Sequence, residues 1–540
     1  MRPRTGTVWI LAPVLGFVAL FALVPVVALI GEALAQQGAG GFVALIHDPL
    51  NLAALDNSLV QGGLSAAAAV AVGYPAGVFL GRYDWPGRGL VRAVLLVPFL
   101  LPSLVVVVGV EQLFGPGGPI GTALPFTGVF AHGLPGIVAV NVVFNVPLVV
   151  LLTAVGVESV PTALEESLAT LGAPPARVYR DTWGPASWLG AAAGALLTFV
   201  FSALAFASPI LLCGPRCSTL EVRIYALDQS FLDPAGAAFL AVLTVAVFLA
   251  PTLAYLVFVA RLRSRPTAGE RRGRAVPWRR PATLPMAAAT LLLVAAVVTL
   301  LGEVVVRGFD AAAPGGAAGS ALGYLFGPGA QATLGLSIVA AIGNTLVFAG
   351  SAAAIALLLG VVSGFLVRAG RRPAFGLSGV IYLPLLLSPI VLALALAGFW
   401  RPVLGGPSAT WVLIVIAQSL LALPFALQGL SVALARVPRG YREGAQSLGA
   451  SPFSAYLDAE LPLARPALLT AAMFAFALGL GEFTATYFLA TPATTTLTVA
   501  LYRLSALRSP GPADAAAALL VLFSLAAFLV VELGGRRVEL

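Results

Sequence analysis

Glu166 stands six residues before Gly172 and nineteen before Pro185, and Glu443 stands at the same distances from Gly449 and Pro462. A carboxylate in the first turn of a short helix offsets the helix dipole, and a glycine just past its end can take the left-handed conformation that closes it. Such a unit presents a rigid surface to a partner. It brings no nucleophile, general base or metal-ligand set, so the chemistry open to it is recognition rather than bond making. The offset of 277 positions between Glu166 and Glu443 also relates Pro147 to Pro424, Val160-Pro161 to Val437-Pro438, Leu171-Gly172-Ala173 to Leu448-Gly449-Ala450, and Asp181 to Asp458. It holds again from Thr219-Leu220 to Thr496-Leu497 and from Tyr225 to Tyr502. The chain is therefore a tandem duplication.

Other residues with chemical potential are few. All 30 basic residues are arginine, and without lysine the phosphate-binding Gly-x4-Gly-Lys-Ser/Thr loop is excluded. His47 and His132 lie far apart without metal-ligand spacing and read as isolated surface residues. Cys213 and Cys217 are either two small apolar residues or a disulfide; a C-x3-C pair with no histidine or carboxylate neighbour is poor as a metal site. No enzyme active site, metal or cofactor is legible. What remains is a set of polar residues inside apolar runs: Asn141, Asn145, Gln418, Gln428 and Glu482. Glu482 is the most costly of them, at about 2.5–3.5 kcal/mol for a carboxylate within a span on insertion scales. Polar groups placed so tend to face each other or water, and for Glu482 both a solute path and a structural pairing are open.

The elements that must position these residues follow from composition. Charged residues are 10% of the 540 and hydrophobic ones 59%, too little polar surface to coat soluble domains of this length. Apolar runs of about 20 residues predict spans near 9–31, 52–80, 93–112, 135–157, 188–211, 237–260, 282–306, 334–367, 376–399, 408–432, 466–490 and 513–533. The expected fold is all-α, a polytopic membrane protein of about twelve helices in two six-helix halves. The first run reads as an uncleaved helix rather than a secretory signal. With the N-terminus inside, only Arg216, Arg223, Arg307, Arg401, Arg503 and Arg508 fall outside, so the basic balance of +8 sets topology, with both termini cytoplasmic, and implies no nucleic-acid partner. The expected divisions are 1–51, first helix and outer loop; 52–260, first pore domain; 261–332, basic linker, seventh helix and outer loop; and 333–540, second pore domain. Residues 261–281 read as a solvated linker that fixes topology, with binding of anionic lipid as the alternative. The first half also carries extra residues in the outer loop 114–134.

Both motif loops fall between the fourth and fifth spans of their half, on the cytoplasmic side. Pro161 and Pro438 end the preceding helix. Thr162 is the expected N-cap, and 165–171 and 442–448 are the expected short helices. Glu-x5-Gly-x12-Pro in such a loop resembles the EAA loop of permease subunits of binding-protein-dependent ABC importers, and each half resembles one six-helix permease domain of type I. In that family the short helix is the coupling helix, which seats in a groove of an ATPase subunit. The resemblance assigns this role to Glu165, Glu166, Ser167, Leu168, Ala169, Leu171 and Gly172, and to Glu443, Gly444, Ala445, Leu448 and Gly449. The first copy departs from the motif at Ser167-Leu168, where small residues are expected. The partners it implies are an ATPase dimer in the cytoplasm, an extracytoplasmic solute-binding protein and the bilayer of the cell membrane, with the translocation path between the halves.

Two importer groups share this fused layout, the thiamine type and the ferric-iron type. Thr219-Leu-Glu-Val-Arg-Ile-Tyr225 and Leu507-Arg508-Ser509 look closer to the thiamine type, with ferric iron next. A secondary carrier of the facilitator type also has twelve spans in two repeats, and Gly81-x2-Asp84-x2-Gly87-Arg88 resembles its basic loop. The spacing differs, however, and the counterpart at 368–373 lacks the acid. Such a carrier has no reason to repeat a 30-residue motif loop. A nonconductive scaffold is the remaining alternative.

Overall fold

The computed structural model describes residues 6–213, 217–263, 274–278, 281, 283–311, 320–368, 384, 387–507 and 510–536. Every regular element among them is a helix, which in lipid satisfies the backbone within each segment. Ten helices among the described residues are long and apolar enough to cross a membrane. An eleventh is added if Pro452–Leu463 and Leu468–Gly481, bent by 81°, form one span.

Seven expected spans, the second, fourth, sixth, seventh, eighth, tenth and twelfth, correspond to Pro49–Arg82, Gly133–Glu158, Pro234–Arg263, Thr283–Asp310, Ile338–Arg368, Gly406–Arg436 and Pro510–Arg536. The first is longer than expected: Gly6–Val18 continues through a π turn at Ala19–Leu23 into Val24–Ile46. Pro25 has no N–H to give the Phe21 carbonyl, which locates the irregular turn. The third is two helices, Arg88–Leu100 and Ser103–Phe114, because Pro102 holds Leu101 extended at ψ 153°. Part of the expected ninth span, 376–383, lies outside the described residues, and the helix that follows is Pro389–Leu404. The fifth and eleventh break at one repeat-related place: Trp183–Ala203 gives way to Ala207–Leu212, and Arg465–Gly481 to Thr484–Leu489.

Each half is built on the same bundle. Pro49–Arg82, Gly133–Glu158 and Trp183–Ala203 pack together in the first half, and Ile338–Arg368, Gly406–Arg436 and Arg465–Gly481 in the second. Small residues allow the approach. A Cβ on Gly77 would sit 2.6 Å from that of Thr153, and one on Gly190 would sit 2.1 Å from the Leu152 carbonyl, so any side chain there would force the helices apart. The halves also interlock, with Val24–Ile46 against Pro389–Leu404, and Thr283–Asp310 against both Pro49–Arg82 and Ser103–Phe114. Cys213 and Cys217 are joined in a disulfide. Within the expected linker, Arg274 is not a free solvated residue: it pairs with Tyr83, and its carbonyl accepts the Asp84 N–H at 2.8 Å.

Candidate functional site

The two motif helices are Thr162–Thr170 and Arg439–Ser447, each starting three residues before the expected position. Pro161 and Pro438, both extended, occupy the N-cap positions. Thr162 is therefore the first helical residue and does not cap, because the proline already forces the backbone to turn there. Both helices close alike. Gly172 and Gly449 have φ +75° and +95°, and the N–H groups of Ala173 and Ala450 return to the Leu168 and Ala445 carbonyls at 3.0 and 3.1 Å. With Gly172 N–H on Ala169 and Gly449 N–H on Gln446, each end is a Schellman turn.

These turns present apolar side chains outward. Leu171 is 83% exposed and Leu448 90%. Leu164 and Tyr441, also repeat-related and exposed, stand seven positions earlier and so share a face with them. Glu166, Ser167, Ala169, Glu443 and Gly444 are exposed on the same helices, while Leu168 and Ala445 are half-buried. Glu165 was expected on the docking face and is buried instead, because two arginines pair with it. Arg82 Nη2 lies 2.8 Å from Glu165 Oε2 and Arg274 Nη1 lies 3.1 Å from the same oxygen. The Arg82 guanidinium also covers the Trp183 ring at 4.1 Å. In the second half the repeat counterpart of Glu165 is Arg442. It lies 3.9 Å from the buried Glu460, the counterpart of Trp183, and 5.6 Å from the centre of the Phe365 ring. The two helices thus have the same outer face but opposite anchors.

Between the halves lies a cavity of about 240 Å³, lined by Asn141, Asn145, Ser208 and several phenylalanines, Phe99 and Phe206 among them, from the first half, and by Phe425, Phe483 and Glu482 from the second. Asn141 accepts from the Ser208 hydroxyl at 3.3 Å, and Asn145 donates to the Asn141 carbonyl at 3.0 Å and to Ser202 at 3.3 Å. Glu482 sits at the break before Thr484–Leu489, where it caps that helix: Ala485 N–H donates to one carboxylate oxygen at 2.7 Å, and Thr486 N–H donates to the other at 2.9 Å with help from the Thr486 hydroxyl. Gln418 does not line the cavity; it donates to Thr486 at 3.1 Å. The Gln428 side chain lies outside the described ones.

Several residues here escaped sequence reasoning. Leu164 and Tyr441 had a signal, since the register pairs two apolar residues in polar helices. Arg82, Arg274 and Glu460 had none, being distant in sequence from what they hold. Glu221, between the fifth and sixth spans, is fully buried, and burial pushes its carboxyl up to about 8, with the Ser388 hydroxyl pulling the other way. A carboxyl raised in the fold keeps its proton there while the unfolded chain has lost it, so stability falls as pH rises from about 4.5 to about 8 and levels off above, at up to about 1.4 kcal/mol per pH unit. Glu221→Gln should remove that slope in thermal melts recorded across the window. A wild-type slope surviving in the variant would assign it to other groups.

The sequence matches the family described as binding-protein-dependent transport system inner membrane component twice, over residues 73–268 and 356–540. The thiamine transport system permease protein of Escherichia coli is 27% identical over 501 residues, 89% of this chain and 89% of the relative. That of Brucella suis is 30% identical over 264 residues, 47% of this chain, so the match spans about half (48%) of the relative. A probable molybdenum transporter permease of Haloferax volcanii is 29% identical over 225 residues, 40% of this chain and 80% of its own length.

Proposed function

The chain belongs to the family of binding-protein-dependent transport system inner membrane components, and from that premise we propose that it alone forms the two-domain pore of an ATP-driven importer for a small organic cation, thiamine foremost. In this reading the solute arrives on an extracytoplasmic binding protein, and the motif helices and both termini face the cytoplasm. A separate ATPase dimer supplies the hydrolysis. The observation that carries it is the matched pair of short helices, each ended by the same turn and each offering two apolar side chains to solvent. An apolar knob on a rigid helix is what a groove on another protein buries. Each knob lies between a helix of the pore bundle and the next, so closing the ATPase dimer would draw the bundles together and re-aim the helices that line the cavity.

Thiamine is favoured by two independent features. A relative that aligns with 89% of the chain carries that name. The cavity lining includes six phenylalanines and one carboxylate, Glu482, and contains no arginine among the described residues, a setting that suits a cation with a flat ring. A molybdenum oxyanion would meet that carboxylate and no countercharge among the described lining residues. In the complex reconstituted with its ATPase, thiamine-loaded binding protein should raise ATP hydrolysis well above the basal rate, while molybdate-loaded and iron-loaded binding proteins should not. Stimulation by either of the latter would reassign the solute, and loss of ATPase binding altogether would refute the importer.

A further inference from the structure

We propose that Arg274, on the segment joining the two halves, is a positioning residue for the first motif helix. The inference rests on the importer reading, in which that helix transmits ATPase closure to the pore. Three ionised side chains meet beneath the helix, where Arg82 and Arg274 share one oxygen of the buried Glu165, and Arg274 Nη2 also reaches the exposed Glu166 at 4.0 Å. Two positive and two negative groups balance, and removing either arginine leaves a buried carboxylate with half its compensation. Arg82 belongs to the same bundle as the helix it holds. Arg274 does not, and its backbone is fixed beside the end of that bundle, its carbonyl accepting the Asp84 N–H at 2.8 Å.

The second helix is held differently. Its Arg442 lies against Glu460 and Phe365, both within the second half, and no residue of the joining segment is among its described ion-pair partners. A displacement of the joining segment at Arg274 therefore reaches the first helix through its contacts to Glu165 and Glu166. The two ATPase contacts become inequivalent: the seat of the first depends on the joining segment through Arg274, whereas the described ion pair of the second, Arg442 with Glu460, lies within its own half. A segment of this kind does more than keep two domains on one chain.

The test uses the full complex in bilayer discs, comparing wild type with Arg274→Ala, Arg274→Lys, Glu165→Gln and the double variant Arg274→Ala/Glu165→Gln. Three quantities are read: co-purified ATPase, basal hydrolysis, and the ratio by which thiamine-loaded binding protein stimulates it. Arg274→Ala should keep the ATPase bound while the ratio falls on the order of fivefold. Arg274→Lys should recover most of it, and the double variant should be no worse than Glu165→Gln. An unchanged ratio in Arg274→Ala overturns the proposal, as does an equal further loss when Glu165 is already Gln, since Arg274 would then act elsewhere. If Arg274→Ala fails to assemble, Arg274→Gln is read in its place: a fall in its ratio that Arg274→Lys recovers supports the proposal, and an unchanged ratio overturns it. A wild-type complex that binds no ATPase would instead sink the importer reading, a result distinct from an indifferent Arg274.

Discussion

Replacing Leu171 and Leu448 together by Asp should strip the ATPase from the membrane protein and leave the fold untouched. Both side chains are almost wholly exposed, and the turns behind them are held by backbone hydrogen bonds and by Gly172 and Gly449, not by the leucines. The substitutions therefore cost the free protein little. In a docked complex each leucine would bury its side chain, about 1.5–3 kcal/mol per residue, and each aspartate would add an unpaired charge to a desolvated groove. Two sites on one rigid ATPase dimer reinforce one another, so losing both should lower affinity by more than about a hundredfold. Pull-down of the ATPase with the variant, next to thermal melting of the variant alone, checks this. Normal association would show that the leucines are not the docking contacts, and a lost fold would show that they hold the turns.

The register of the duplication located both motif helices within three residues and both closing glycines without error, because turn chemistry at Gly172 and Gly449 is local and read residue by residue. The helix starts slipped because Pro161 and Pro438 take the cap position themselves. Glu165 could not be told from Glu166 in a line of sequence: one is buried and the other exposed, and the difference is made by Arg82, 83 positions away, and by Arg274, hidden among the arginines of 261–281. The polar residues within spans were conspicuous, since a lone amide or carboxylate in an apolar run needs a partner. Which partner was not legible. Asn141, Asn145 and Glu482 reach the cavity wall, whereas Gln418 gives its amide N–H to Thr486 inside the second half. The breaks near Ala205 and Glu482 were hidden for another reason: the surrounding residues are apolar on both sides, and hydropathy does not sense a turn made in the middle of a membrane-length run.

Glu482→Gln should both destabilise the second half and slow uptake, and the two losses have separable causes. The carboxylate offers two acceptors to the start of Thr484–Leu489, and both are taken, one by Ala485 N–H and the other by the N–H and hydroxyl of Thr486. An amide keeps one acceptor and turns its NH2 toward the remaining donors, so at least one buried N–H loses its partner at about 1–3 kcal/mol. A lower melting temperature measures that. The charge is a different matter. The same carboxylate lines the cavity between the halves, where a negative group stabilises a passing cation strongly because little water screens it. Glu482→Asp retains the charge on a shorter arm and also disturbs the cap, so it shares the structural loss without the electrostatic one. If the charge serves transport, thiamine uptake at a temperature where both variants are folded should fall in Gln and persist in Asp. Normal uptake in the Gln variant would leave Glu482 as a helix cap alone, and equal loss in Gln and Asp would tie transport to the geometry of the break rather than to its charge.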